Sequence, residues 1–456
     1  MVTISESLAD WVRNADLASF PGEIVHIGKR SILDFVGVAL NGSRSPVAQI
    51  VQNYLGEVKG PEQSTVLGLG EKTSCMEAAL ANGLFGHCLD FDDTLITTPG
   101  GGGGHVSAAV FPGTLAVAEK ENSSGKELLE AFILGCEVFA RVGRGIDPEH
   151  YLTGWHATAT EGVVGAAAAA SRLLGLGGAE MSNALGIAAS EASGLRENFG
   201  TLSKPFHAGE ASAKGIKAAL LAKFGLDSSR TIFEGQYGYC NVLSTNPKPG
   251  EILNNLGQLF WLPQIRLKLY PCCACSHAAI YSTLEMVCQH DINMEDVEKI
   301  DIDCDPFLPK VLVYDAPKTP YEGKFSMQYP IALAVSEREV TLEQFTEEKI
   351  TEPGIVNLMQ KVKQIPNQDL IMENPSAMST IVNIHLKDGK IITKRYDFPP
   401  GTAENPISDE DLFSKYRKCA RTVLPEKQVE ESLKLIMNLE KVDNISLLMN
   451  AIRPES

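Results

Sequence analysis

GVVGAAAAASRLLGL, residues 162–176, is the stretch on which the fold turns. A run this apolar is either a membrane span or a helix packed inside a protein. It is too short to cross a bilayer, and Ser171 and Arg172 interrupt it, so it reads as a buried helix ended by glycine. MSNALGIAASEAS (181–193) and SAKGIKAALLAKFGL (212–226) repeat the composition. Alanine and glycine leave little side chain between neighbouring helix axes, so these segments predict a compact helical bundle.

Working outward, LADWVRN (8–14) and IGKRSILDFVGVAL (27–40) space their apolar residues by three and four, the helical period. Ser124 and Glu127 form a capping box that opens ELLEAFILGCEVFARVG (127–143). The chain therefore reads as helical from about residue 5 to 265. Near 266 the pattern changes. VEKIDIDCDP (297–306) alternates like a strand, and STIVNIHLKDGKIITKRYDF (379–398) reads as a hairpin turning at Asp388-Gly389. A helix is expected between them, at SHAAIYSTLEMVCQ (276–289). Beyond FPPGTAENP (398–406), Ser408 to Asp411 opens a further helix, and 426–451 continues helical. The expected class is mainly α. Residues 1–265 and 405–456 form a large helical domain from both chain ends, and 266–404 a smaller α+β domain.

A chain of 456 residues is enough for two or three cores, and 44% hydrophobic with 21% charged is the balance of a globular protein. The net charge of −17 disfavours nucleic acid and anionic membrane surfaces. A small anion is still admissible, because a few local lysines and histidines can dominate one cleft. MVTISESLADWVRN, with its acidic residues, does not read as a secretory leader, and none is expected. Ten cysteines in so long a chain are not a disulfide framework. Cys272, Cys273 and Cys275 crowd into YPCCACSH (270–277) without the second half of a zinc site. A reducing cytoplasm is the expected setting.

HCLDFDDTLITTPGGGGGH (87–105) admits several readings. Asp90, Asp92 and Thr94 match the D-x-D-x-T of aspartate-nucleophile phosphatases. That chemistry wants a buried parallel strand, yet the preceding CMEAALANGLFGHCL (75–89) is helix-like and lacks valine and isoleucine. The glycines from Gly100 to Gly104 resemble a phosphate cradle, but no βαβ unit surrounds them, so they read as a flexible loop able to offer amides to a carboxylate. His87, His105, His156, His207 and His277 fall in no metal-ligand spacing, so no metal is expected. What remains is a set of polar residues among small apolar neighbours: Asp90, Thr94, His105, His156, Lys204, His207, Lys268, His277 and Tyr329. Singly, each is more often a hydrogen-bonded core residue than a catalyst. Lys204 stands out, because a lysine in a nearly uncharged stretch meets an anion or has its pKa lowered.

These stretches resemble the MmgE/PrpD family, which includes 2-methylcitrate dehydratases, cis-aconitate decarboxylases and iminodisuccinate epimerase. The likeness runs from about residue 5 to 450. HCLDFDDT, GGHVSAAVFPGTLAVAE, GWHATATEGVVGAAAAASRLLGL, GTLSKPFHAGEASAKG, KLYPCCACSHAAI and FSMQYPIA carry it in order. The resemblance implies a helical domain with an inserted α+β lid, a homodimer, no cofactor, and a site between the domains for a small di- or tricarboxylate. By motif it carries over Asp90, Thr94, His105, His156, Lys204, Lys268 and Tyr329, of which His105 suits acid–base work, with His156, Tyr329 and Asp90 assisting. Thr94, Lys204, Lys268, His207, Cys273 and His277 are left to bind substrate.

The chain also departs from the family's patterns. HVSAAVFP stands where decarboxylases tend to read HPSGAVLP, and the glycine run lengthens the loop before His105. An aspartate–asparagine pair of the dehydratases is missing near Ser107-Ala108, and Cys273 occupies a position where some decarboxylases have histidine. The expectation is a cofactor-free lyase of the decarboxylase kind. The alternatives are an epimerase of a substituted succinate, a 2-methylcitrate dehydratase, or a non-catalytic carboxylate binder.

Overall fold

The computed structural model describes residues 2–98, 103–373 and 377–454. Helices supply 57% of it and strands 8%, so helix packing organises the chain. The helices that build the site's surroundings are α1 (Ile4–Asn14), α2 (Gly22–Gly42), α3 (Cys75–His87), α4 (Val106–Glu121), α5 (Gly125–Arg144), α6 (Gly162–Leu173), α7 (Gly178–Ser190) and α8 (Ser203–Lys223). Thr3 with Glu6 caps α1, and Ser124 with Glu127 caps α5, each pair satisfying otherwise orphaned amides. The segment before Asp90 is the helix α3, so the strand a phosphatase nucleophile needs is not there.

Glycine sets the helix crossings. A Cβ on Gly83 of α3 would lie 2.4 Å from the Cα of Gly209 on α8, and one on Gly135 of α5 would lie 2.8 Å from the carbonyl oxygen of Gly165 on α6. Only hydrogen fits at such contacts. The first crossing fixes the end of α3, and so His87, against the start of α8, where Lys204 sits.

A change of character near 266 is visible in the packing. One apolar core joins residues from Ile4 to Leu267 with residues from Ile407 to Ile452. The other runs from Cys272 to Ile392 and takes in Tyr151, Ala157 and Phe199 from the earlier part of the chain. In this second region are α9 (His277–His290), α10 (Gln328–Glu337) and the strands β1 (Val297–Cys304), β2 (Val362–Pro366), β3 (Thr380–Leu386) and β4 (Ile391–Tyr396). The sheet order is β2-β1-β3-β4. β1 runs parallel to β2, with Ile300 opposite Val362, and antiparallel to β3, with Ile300 opposite Ile384. β3 and β4 form the expected hairpin, in which Gly389 takes φ 89°. Burial alternates along β1 and β3, as a sheet covered on one face by α9 and α10 requires.

Beyond the sheet, α11 (Asp409–Ala420) and α12 (Glu426–Met437) return to the first core. Lys415 of α11 makes a buried ion pair of 2.6 Å with Asp34 of α2. A short ribbon lies within the first core, Thr94 and Leu95 pairing antiparallel with Arg266 and Ile265. Among the described residues, no helix is long and apolar enough to cross a membrane.

Candidate active site

The α3–α8 crossing brings His87 and Lys204 together, and the turn after α3 adds three acids. Asp90 sits at φ 51°, in the left-handed region that aspartate tolerates better than most residues. Its carboxylate takes a hydrogen bond of 2.6 Å from Lys204 Nζ and lies 3.1 Å from Lys268 Nζ, while its carbonyl accepts from Lys268 at 2.8 Å. Burial alone would raise the Asp90 pKa, but the two ammonium groups outweigh it and hold the group well below the ordinary carboxylate range. Burial lowers Lys204, with Asp90 opposing, whereas Asp90 overcomes burial at Lys268 and raises it.

Asp92 orients a pair of histidines. His87 Nδ1 lies 3.0 Å from Asp92 Oδ1, and His105 Nδ1 lies 3.0 Å from Asp92 Oδ2. Their opposite edges meet one cation: Lys204 Nζ is 2.8 Å from His87 Nε2 and 3.3 Å from His105 Nε2. Lys204 donates to both Nε2 atoms, so each imidazole carries its proton on Nδ1; His87 hydrogen-bonds to Asp92 there, whereas His105 Nδ1 stands beside Asp92 at ion-pair distance only. Burial first, then Lys204, pushes His105 down to about 3, so it is neutral near pH 7. With His105 neutral, Lys204 supplies the positive charge on the recess wall.

His87, Asp90, Asp92 and His105 place one donor atom each within 4.8 Å of one another, a spacing that would suit a metal ion. The ammonium of Lys204 already reaches three of them. It therefore occupies the position from which a cation would be held.

This wall lines a recess with about 510 Å³ of empty space, part of it open to solvent. Asp90, Thr94, His105, His156 and Lys204 give its polar side, and Gly103 and Gly104 its edge. Tyr151, Phe199, Phe307 and Phe325 form the apolar side, and Cys273 and Cys275 close the end. The Cys273 thiol, hydrogen-bonded with Cys275, is lowered. The helix α4 begins at the recess, where Ser107 donates to Asp93 through both its hydroxyl and its amide. Burial raises Asp93 to about 7.

The remaining expected residues are placed as follows. Lys268 lies beneath Asp90, almost wholly buried, and acts on the recess through that carboxylate. His207 stands behind His156, with Nδ1 to Nδ1 at 3.0 Å, and lines a separate recess with Glu191, Glu210 and Lys214. His277 is buried at Cys272 O, 3.3 Å away, and against the Tyr270 ring; burial pushes it down to about 3. Tyr329 is fully buried in the second core, where its hydroxyl donates to the carbonyl of Gln344 and its ring packs on Phe345. The structure brings His105, Asp90, Thr94, Lys204, His156 and Cys273 to one recess and leaves Tyr329 out of it. Gly100 to Gly102 fall outside the described residues.

Several contributors were missed in the sequence. Asp92 is one, although an aspartate two residues from Asp90 in so buried a segment was itself a signal. Lys324 is another; it donates to Leu89 O at 2.7 Å and Pro271 O at 2.9 Å, and burial lowers it to about 8. The aromatic side had no local signal, because its four residues come from four separate segments.

A mainly helical chain with a small sheet that gathers Lys204, Asp90, His105 and His156 at one recess has the framework of an enzyme. The chain belongs to the MmgE/PrpD family: residues 6–252 match the MmgE/PrpD N-terminal domain and residues 270–441 the MmgE/PrpD C-terminal domain. It is 29% identical to cis-aconitate decarboxylase of Homo sapiens over 476 residues, spanning 100% of this chain and 95% of that protein. It is 26% identical to cis-aconitate decarboxylase of Aspergillus terreus over 473 residues, 98% of this chain and 96% of the relative. A mitochondrial 2-methylcitrate dehydratase of Yarrowia lipolytica is 22% identical, over 94% of this chain and 86% of its own length. Each of these relatives is named for a lyase reaction.

Proposed function

We propose that this protein is a cofactor-free lyase that removes CO2 from a di- or tricarboxylic acid, in the manner of a cis-aconitate decarboxylase. The observation that carries the reading is the line Asp92–His105–Lys204 along one wall of the recess, facing an aromatic wall. The full-length relatives named as decarboxylases favour CO2 loss over dehydration as the first reaction to test.

In this reading Lys204 and the Thr94 hydroxyl, which has no partner among the described residues, hold substrate carboxylates, and Asp90, itself held by Lys268, keeps Lys204 charged and aimed. The carboxylate that leaves is turned to Phe199, Phe307 and Phe325. Loss of charge as CO2 forms is favoured there, since an apolar wall solvates a carboxylate poorly. The bond to the leaving carbon breaks, its electron pair stays with the substrate, and a proton must reach the carbon beside a remaining carboxylate. His105 delivers it from Nε2. The incoming polyanion favours the imidazolium form, Lys204 stands 3.3 Å away as proton source, and Asp92 stabilises the charged ring through Nδ1. One proton is taken from solvent per turnover. His156 assists from the same recess, and Lys204, in the position of a cation, leaves the chemistry independent of a metal.

The two apolar cores correspond in this reading to a body of residues 1–265 with 405–456 and a lid of residues 266–404. A homodimer in the cytoplasm completes it, and light scattering of the purified protein tests the dimer. The activity is tested by incubating the protein with cis-aconitate, 2-methylcitrate and iminodisuccinate and following each by proton NMR in deuterated water. CO2 loss with one deuteron incorporated supports the proposal. Exchange at the α-carbon without CO2 loss means an epimerase, and loss of water means a dehydratase. His105→Ala should lower turnover by about 10²–10⁴-fold with the fold intact.

A further inference from the structure

Away from the lysine cluster, two acids are buried together, and among the described residues no cation forms an ion pair with either. Asp147 follows α5 and Glu161 precedes α6, and each is 1% exposed. Asp147 Oδ1 and Glu161 Oε1 each lack a hydrogen-bond donor while both groups are ionised. The two carboxyls act directly on one another, and one proton between them would give both orphaned oxygens a partner. Among the described residues Glu149 and Tyr239 also act on the pair, and neither is basic.

The second oxygen of Asp147 accepts the amide of Gly103 at 2.9 Å. That amide lies two residues before His105. The next two positions are held as well: Gly104 exchanges backbone hydrogen bonds with Leu95 at 2.8 and 3.1 Å, and the His105 amide donates to Thr158 Oγ1 at 3.0 Å. Gly104 is confined further, since a Cβ there would lie 2.5 Å from the Thr158 amide. The acid pair is therefore one of three anchors on the segment that presents His105 to the recess.

We infer that Asp147 and Glu161 are positioning residues that share one proton to pin Gly103, and through it set the placement of His105 for the reaction. The inference rests on the acid–base reading of His105. While the proton is held, Asp147 accepts from Gly103 with no uncompensated pair of charges beneath it. When it leaves, two buried carboxylates repel each other and the anchor loosens. Burial raises Asp147 to about 7 and Glu161 well above its usual range, so the release falls on the alkaline side of neutrality.

Two variants separate the roles. Glu161→Gln gives Asp147 a permanent N–H donor and removes the need for the shared proton, and Asp147→Ala removes the acceptor of the Gly103 amide. Hydrogen exchange of the amides of residues 103–105, corrected for the intrinsic pH dependence, is followed from pH 6 to 9, with Val138 in the middle of α5 as reference. The wild type should lose protection at 103–105 as pH rises, Glu161→Gln should keep it, and Asp147→Ala should lack it throughout. Once a turned-over acid is known, the alkaline limb of kcat/KM should move up by at least about one pH unit in Glu161→Gln. Protection at 103–105 that is the same in wild type and Asp147→Ala, or independent of pH in the wild type, overturns the inference. Exchange needs no substrate, so the anchor stands or falls separately from the proposed decarboxylation. Should either variant fail to fold, the pH series on the wild type decides alone.

Discussion

Lys204 Nζ and Asp90 Oδ1 meet at 2.6 Å with both side chains 4% exposed. A buried pair of this kind is poor evidence of stability on its own, because desolvation of the two charges offsets their attraction. Here the lysine also serves His87 and His105, and the aspartate also serves Lys268. Lys204→Met removes donors from three partners and leaves a carboxylate with one ammonium in place of two. The expected cost is about 3–5 kcal/mol in unfolding free energy. A fall of about 10²–10³-fold in kcat/KM should accompany it, since the carboxylate-binding charge is lost. Denaturant titration and steady-state kinetics check the two parts separately.

Asp92 decides which nitrogen of each histidine is protonated. Asn at this position presents an N–H edge that one of the rings must meet with a lone pair, which turns that ring's Nε2 from acceptor into donor toward Lys204. Asp92→Asn is therefore expected to lower kcat by about 10²–10⁴-fold while KM changes little. If KM rises in step with the fall in kcat, the carboxylate is holding substrate instead of orienting His105.

Tyr329 gives the opposite expectation. Its hydroxyl is engaged by the Gln344 carbonyl inside the second core and does not reach the recess. Tyr329→Phe should cost about 1 kcal/mol of stability, the usual worth of one buried hydrogen bond, and leave turnover within about twofold of wild type. A hundredfold loss of kcat in a protein of normal stability would restore the tyrosine to the chemistry.

The contrast between Tyr329 and Lys204 shows what was legible in the sequence. Both were singled out as polar residues in apolar surroundings, and both are buried. For a lysine, burial demands a counter-charge, so composition alone implied an anion near Lys204. A tyrosine is satisfied by any carbonyl, and burial says nothing about which one. The helical body was readable because Ala–Gly helices have little choice but close packing, as Gly83 against Gly209 demonstrates. The sheet was readable at β1 and at the β3–β4 hairpin, where burial alternates. β2 carried no such alternation, having an exposed Ile365 near its end. The aromatic wall was not legible, because Tyr151, Phe199, Phe307 and Phe325 meet only after the two cores have formed.

Acid should unfold the protein earlier than its surface charge suggests, and the sign follows from the groups in the recess. Burial holds His105 down to about 3, whereas an unfolded histidine titrates at about 6.5. Between those values the unfolded chain binds the extra proton, so stability falls as pH falls, by up to about 1.4 kcal/mol per pH unit for one such group. His207, lowered to about 4 by burial, adds in the same direction. Asp90 and Asp92, held well below the carboxylate range, contribute stability that is present above about 4 and lost below it. Asp93 and Asp147, both raised to about 7, act the other way: the folded chain holds their protons longer, and stability falls as pH rises from about 4 through 7. Three denaturant titrations at constant ionic strength, at pH 7, 5.5 and 4.5, separate these contributions when run on wild type and His105→Gln. The variant should keep more of its pH 7 stability at pH 5.5 than the wild type does. Equal slopes in the two proteins would mean that His105 is already protonated in the folded recess, and the proton it gives to substrate would then be its own resting one.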